Sequence, residues 1–177
     1  MEKSIIVKLR PITSEDMAKI PEWRNKDHIR KWFFNSNILT SEDQEKWYSA
    51  YVLNDFDKMF IIQAGSEDIG TFSVYNIDTK NKKAEIGNLM IGEDKHRGKG
   101  YAYQAGKLLL EYAFNNLKLE RLYLSLFADN IAAFNLYAKL GFVKEGVLGQ
   151  DILTSSGRKD VILMGLMKRD FYSMEEQ

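Results

Sequence analysis

The stretch Lys95-His96-Arg97-Gly98-Lys99-Gly100-Tyr101-Ala102 constrains the fold of this chain more than any other. It lies between an apolar run ending at Ile91 and a helical pattern beginning near Gly100. A strand, a glycine-rich basic turn and a helix start aim several backbone N–H groups at one point, with the positive end of the helix dipole behind them. Arg97 and Lys99 add formal charge. Such a unit is suited to a phosphate group. A Walker-type loop would need Gly-Lys-Ser/Thr, because the hydroxyl holds Mg²⁺, but Gly98-Lys99-Gly100 is followed by Tyr101. A dinucleotide fingerprint would follow the first strand of a βαβ unit, with an acidic ribose ligand about 20 residues on. This turn lies past mid-chain, and Glu120 is an unconvincing ribose ligand. A surface turn that uses its glycines only for backbone geometry stays open at this point.

The flanking sequence places the turn inside one α/β domain. Ile5 to Arg10 is rich in β-branched residues and bounded by Pro11, which predicts a first strand. Thr13 or Ser14 caps a helix with Met17, Ile20 and Trp23 on its apolar side, broken or kinked at Pro21. Trp23 to Asn37 is polar and aromatic. Ser41-Glu42-Asp43-Gln44 reads as a capping box that opens a helix through Trp47, Tyr51 and Val52. Lys58 to Ala64 and Ile69 to Tyr75 read as a hairpin around Gly65-Ser66-Glu67-Asp68, and Ala84 to Ile91 as a third strand. After the glycine turn the period changes, with Ala102, Ala105, Leu108, Leu109, Tyr112, Ala113 and Leu117 on one helical stripe. Arg121 to Phe127 alternates as a strand, and a helix capped by Asp129 or Asn130 ends at Leu140 with Gly141 as its stop. Two more strands follow, near Phe142 to Leu148 and Arg158 to Met167, around a Thr154-Ser155-Ser156-Gly157 turn. No internal repeat, low-complexity tract or linker divides residues 1–177.

Bulk properties narrow the function classes. The 177 residues have room for one domain with a real core. Lys+Arg and Asp+Glu balance at 25 each, so no global field recruits nucleic acid or an anionic membrane. Zero Cys excludes disulfides, thiolate metal sites and cysteine nucleophiles, and no metal site is read from the chain. No apolar run approaches the roughly 20 residues of a membrane helix, and the first residues do not read as a signal peptide. The expectation is a soluble cytoplasmic protein.

Arg97 to Ala102 resembles the acyl-CoA pyrophosphate loop of the GNAT superfamily of acetyltransferases, whose pattern is Gln/Arg-x-x-Gly-x-Gly/Ala. Asn130-Ile131-Ala132-Ala133-Phe134-Asn135-Leu136-Tyr137-Ala138-Lys139-Leu140-Gly141-Phe142 is similar to that family's Asn-x-x-Ala-x-x-Leu-Tyr-x-x-x-Gly-Phe helix, at the expected separation. The likeness is strongest over residues 84 to 167. It implies a single α/β (α+β) domain built on a central mixed, mostly antiparallel sheet of about seven strands flanked by helices. It also implies an N-acetyltransferase with acetyl-CoA as co-substrate in a cleft where the strand ending at Ile91 splays from the strand Arg121 to Phe127.

By the same resemblance, Leu89, Met90 and Ile91 pair with the pantetheine arm, and the N–H groups of Arg97, Gly98, Lys99, Gly100, Tyr101 and Ala102 hold the pyrophosphate. Asn130 and Asn135 match positions that contact the cofactor, with plain helix capping the other reading of Asn130. Tyr137 matches the tyrosine that protonates the leaving thiolate, and a backbone N–H near Met90 or Ile91 is the expected oxyanion donor. Glu85 matches a carboxylate that serves as base, although an ordinary surface glutamate fits equally. Ser125 on the neighbouring strand is open to three readings: a proton relay, a substrate-orienting group or plain filler. His28 and His96 lie in charged, exposed-looking stretches and receive no role.

The first third of the chain forms the acceptor wall in that family, and here it concentrates all three Trp residues. The pattern looks like the RimJ/RimL-type branch, and Trp23-Arg24-Asn25 resembles enzymes that N-acetylate amino-sugar nucleotides. Aromatic faces at Trp23 and Trp32 with cationic Arg24, Arg30 or Lys31 suit such an acceptor. The main expectation is therefore a small-molecule amine of that kind. Two alternatives use the same fold: a polyamine, with Glu42, Asp43, Glu45 and Asp55 as candidate carboxylates, or a ribosomal-protein N-terminus. A non-catalytic CoA-binding module and a homo-oligomeric assembly stay open.

Overall fold

The computed structural model describes residues 6–175. Among them a seven-stranded sheet runs in the order β1-β2-β3-β4-β5-β7-β6. Strand β1 (Val7–Pro11) pairs with β2 (Lys58–Ala64), which turns through Gly65-Ser66 into β3 (Glu67–Asp78) and on to β4 (Lys83–Ile91). These pairings are antiparallel, as short connections require. Strand β5 (Arg121–Phe127) lies parallel to β4, so the chain must cross over between them, and the crossover is α4 (Tyr101–Glu111) with a following π turn at Tyr112–Asn116. Helix α5 (Ile131–Lys139) then leads to the hairpin of β6 (Val143–Thr154) and β7 (Gly157–Met167), and β7 inserts between β5 and β6. Helix α6 (Lys168–Glu175), which the periodicity does not announce, packs Phe171 edge to face with Tyr172 and beside Phe114.

The sheet has two apolar layers. One face, with Phe72, Val74, Ile86, Leu122 and Leu124, packs against Ala105, Leu109, Leu110 and Phe114 of the α4 region. The spacing of those four residues puts them on one stripe of the helix, so burial there drives both sheet and helix into one core. Gly106 lets the end of α5 approach: a Cβ there would stand 2.5 Å from Leu140 Cδ1. The second layer is smaller and joins Ile12, Met17, Ile20, Trp23 and Ile29 to Met59, Ile61 and Met90. It fastens α1 (Lys19–Arg24) and α2 (Asp27–Arg30) to the far side of the sheet. Helix α3 (Ser41–Tyr51) lies outside α1.

Several expectations need correcting. Ile5 lies outside the described residues, and the first strand starts at Val7. Pro21 neither breaks nor kinks its helix, because it falls in the first turn of α1, where its missing N–H has no intrahelical partner to lose. Thr40, not Ser41, caps α3: its hydroxyl accepts from the Asp43 N–H at 3.1 Å while the Asp43 carboxylate takes the Thr40 N–H. The β2–β3 turn is two residues shorter than expected, and β6 runs six residues past Leu148. His96 is buried, not exposed, with Nε2 3.1 Å from Glu67 Oε2.

An ionic knot ties the N-terminal strand to the start of β3. Arg10 meets Asp16 at 2.6 Å and Asp68 at 2.7 Å, and Lys19 and Gln63 also donate to Asp68. Burial raises the Asp68 carboxyl, but the donated hydrogen bonds outweigh it and hold the group at about 2. A folded pKa below the unfolded one contributes stability above the unfolded value, near 4, and that contribution is lost as pH falls through about 2. We therefore expect Asp68→Asn to remove up to about 2 kcal/mol at pH 7 and to flatten the loss of stability between pH 4 and pH 2, read from urea midpoints. An unchanged acid slope in the variant would exclude the knot as its source.

Candidate active site

Strands β4 and β5 pair only at Lys83–Arg121, Ala84–Leu122 and Glu85–Tyr123, and then part. The cause lies in β4. Asn88 takes a left-handed φ of 52°, and the β3–β4 register slips between Thr71–Met90 and Ser73–Gly87. Thr71 Oγ1 donates to the Asn88 carbonyl at 2.7 Å and fixes this bulge from β3. A bulge bends its strand and sharpens the local twist, which turns β4 away from β5. Strand β5, held by seven residue pairs to β7, does not follow.

The gap opens into a cleft of about 440 Å³. Gly87, Asn88, Leu89 and Met90 line it from β4, Ser125 and Leu126 from β5, and Asn130, Ala133 and Tyr137 from α5. The glycine turn stands beyond the end of β4, after a short helical turn at Asp94–His96. Gly98 and Gly100 have φ of 72° and 80°, a left-handed backbone that costs other residues strain, and a Cβ at either would meet nothing within 4 Å. The turn is thus both shaped by glycine and open above. Arg97, Lys99 and Gly100 are exposed, Tyr101 is buried against His96, and α4 begins at Tyr101 with the free first-turn amides of any helix N-terminus.

Of the residues read from sequence as cofactor contacts, Leu89, Met90 and Asn130 line the cleft, and Ile91 is paired with Gly70. Asn130 caps α5, its Oδ1 accepting from the Ala133 N–H at 3.2 Å, so the capping reading is correct while the residue also faces the cleft. Asn135 is exposed and does not line it. Tyr137 is buried in the cleft wall, its ring edge-on to Phe142 at 5.8 Å. Among the described residues its hydroxyl has no hydrogen-bond partner, and burial pushes the phenol above its ordinary pKa. Glu85 is half-buried on β4 but does not line the cleft; Asn76 Nδ2 donates to it at 3.2 Å.

The outer wall is aromatic: Trp32, Phe33, Phe34 and Trp47 line it with Tyr75 of β3. Trp32 and Ser125 line the cleft, and Trp23 does not. It is 2% exposed, its ring covers Gly92 and its Nε1 donates to Glu93 at 2.8 Å, so it is core. Of the four candidate carboxylates only Asp43 lines the cleft. Arg24 is the anomaly. It is 6% exposed, lies 3.8 Å over the Phe33 ring and donates through Nη2 to the Asn35 carbonyl, yet Nη1 is buried without a partner. Burial, and then the charge of Arg30, push its guanidinium down to about 10. The cleft roles of Phe33, Phe34, Asn35, Tyr75 and Gln44 carried no sequence signal, because they come from separate segments that meet only in the fold.

The family model described as an acetyltransferase (GNAT) domain matches residues 7–143. Spermidine N(1)-acetyltransferase of Escherichia coli K12 is 26% identical over 165 residues, 93% of this chain and 88% of that protein. YdaF of Bacillus subtilis, which carries a provisional ribosomal N-acetyltransferase name, is 26% identical over 175 residues, 93% of each chain. The crystal structure of spermidine N-acetyltransferase from Vibrio cholerae in complex with CoA and spermine superposes with a TM-score of 0.88 at 24% identity, covering 94% of this chain and 98% of that one. That likeness is one of fold.

Replacing Gly100 by Ala forces a side chain into the left-handed region at about 1–2 kcal/mol, without any clash. We expect Gly100→Ala to weaken CoA binding about tenfold by calorimetry while the far-ultraviolet circular dichroism is unchanged. Unaltered affinity would mean that the turn does not hold the cofactor.

Proposed function

The chain belongs to the GNAT family of acetyltransferases, which take their acetyl group from acetyl-CoA, and we propose that it transfers that group directly to the primary amine of a small molecule held against the aromatic wall of the β4–β5 cleft. The observation that carries the reading is the position of Tyr137: a buried phenol whose hydroxyl has no hydrogen-bond partner among the described residues, in a cleft floored by unpaired β4 backbone. The pantetheine arm runs along Leu89 to Ile91, and the pyrophosphate sits on the amides of Arg97 to Ala102.

The reaction needs a neutral amine, a polarised carbonyl and a proton for the departing sulfur. Backbone N–H on the free edge of β4 near Met90 stabilises the oxyanion. The amine adds to the thioester carbon, the C–S bond breaks, and Tyr137 protonates the thiolate. Burial keeps Tyr137 protonated at neutral pH and therefore able to donate. The Escherichia coli spermidine acetyltransferase supports a polyamine as the acceptor class; Arg24 already lies over Phe33 and Lys31 and Lys159 over Trp32, so Trp47 is the wall aromatic left to favour its cationic amines. Asp43 supplies one carboxylate, although its Oδ2 already accepts from Thr40 at the start of α3.

One observation favours a second reading, an amine that also bears an anionic group, such as an amino-sugar nucleotide. A guanidinium buried in the cleft wall without a carboxylate, and with Nη1 unpaired, is costly unless an anion joins it. The comparisons lend this acceptor no support; Arg24 alone does.

Free-thiol release from acetyl-CoA with spermidine, spermine, amino-sugar nucleotides and N-terminal peptides separates the classes. Stimulation by polyamines is expected. CoA binding with no amine stimulating release would overturn the enzyme reading in favour of a CoA-binding module. Tyr137→Phe should lower kcat about 10²–10⁴-fold and leave CoA affinity unchanged; parallel losses in both would remove the acid role. Arg24→Gln should spare polyamine turnover and abolish turnover of an anionic acceptor.

A further inference from the structure

Glu85 is the carboxylate that the family resemblance puts forward as base, yet it does not line the cleft. Its partner across the β3–β4 ladder does. Tyr75 sits opposite Glu85 in the register, and residues directly opposed in an antiparallel pair project to the same face. The two side chains stand side by side on that face, and the charge of the carboxylate acts on the phenol. We propose that Tyr75 is the cleft-side member of a proton relay that ends on Glu85. The proposal rests on the acetyltransferase reading and adds a group to it.

Three features support the assignment. The first is Gly87: a Cβ there would stand 2.8 Å from the Tyr75 hydroxyl and 3.1 Å from its ring, so glycine is what lets the phenol lie down on β4. β4 is the strand along which the thioester would run. The second is the setting of Glu85. Tyr75 approaches from β3, Asn76 donates from the same strand, and Tyr123 is its neighbour on β5. Lys83 stands 5.9 Å over the Tyr123 ring, and among the described residues no Lys, Arg or His ion-pairs with Glu85. The carboxylate is therefore not committed to a cation and can take a proton. Thirdly, Tyr137 of α5 and Tyr75 of β3 line the same cleft. The reacting centre then has one phenol to accept the amine's proton and another to donate to the sulfur.

The proton count closes. The acceptor ammonium gives one proton to the Tyr75 oxygen as the Tyr75 proton passes to the Glu85 carboxylate, and the freed lone pair attacks the thioester carbon. As the C–S bond breaks, Tyr137 gives its proton to sulfur, and the second proton shed by the nitrogen restores Tyr137. The proton on Glu85 leaves to water. Tyr75 remains a phenol at rest, because burial and then the Glu85 charge push its pKa up; it conducts a proton and does not act as a phenolate base.

The test compares pH profiles of kcat/KM for wild type, Tyr75→Phe, Glu85→Gln and the double variant, with an amine that stimulates the wild type. Each single variant should lose about 10²-fold at pH 7. The deficit should shrink about tenfold per pH unit toward the amine's own pKa, where bulk solvent already supplies the free base. KM for acetyl-CoA should not move, and the double variant should be no slower than the slower single. Gly87→Ala, which displaces the phenol without removing it, should give the same profile. A wild-type profile in Tyr75→Phe, or losses that multiply in the double variant, would overturn the relay while leaving the acetyltransferase intact. A wild type inactive toward every amine would instead overturn the acetyltransferase reading, and the relay with it.

Discussion

The site depends on the failure of β4 and β5 to stay paired. Two adjacent parallel strands normally satisfy each other's N–H and C=O groups along their length. Here three residue pairs suffice to fix the strands side by side, and the bulge at Asn88, held by Thr71, ends the pairing. Each strand tolerates the loss because its other edge is secured, β4 by β3 and β5 by β7. What remains is a slot floored by backbone that still has hydrogen bonds to make. A pantetheine arm, with its own amides, is a natural complement to such an edge.

Around that slot the two apolar layers set different environments. The layer under α4 is continuous with Tyr137 and Phe142, so the phenol stands in a poorly solvated wall that keeps its proton on. The smaller layer under α1 and α2 ends in aromatic rings that face the acceptor space. It carries one anomalous charge, Arg24, whose guanidinium is half satisfied by the Asn35 carbonyl and by the Phe33 ring. One end of the cleft is therefore shaped by backbone, and the other by side chains from several segments.

The parts legible in the chain were those encoded locally. Gly98 and Gly100 announce a left-handed turn, the period-3.6 stripe announces α4, and the Asn130-to-Gly141 pattern announces a capped and stopped helix. Each rests on contacts within about one turn of helix or on one backbone angle. The misreadings share an opposite cause. Trp23 was placed in the acceptor wall by its neighbours in sequence, but its ring is claimed by Gly92 and Glu93, about seventy residues away. His96 is buried although its sequence neighbours are charged, because its partner Glu67 comes from the start of β3. Pro21 was read as a helix breaker because its position relative to the helix start, off by only a few residues, decides whether the missing N–H matters.

The sequence by itself determined the family, the order of elements and the phosphate-suited turn, because these depend on periodicity and on residues a few positions apart. The tertiary structure alone decided which side chains share the cleft. It took Trp23 out and put Phe33, Phe34 and Tyr75 in, and it left Glu85 out of the lining beside its cross-strand partner Tyr75. Strand register and a bulge decide such matters, since a shift of one residue exchanges the two faces of a sheet, and no local pattern records which strand will lie alongside.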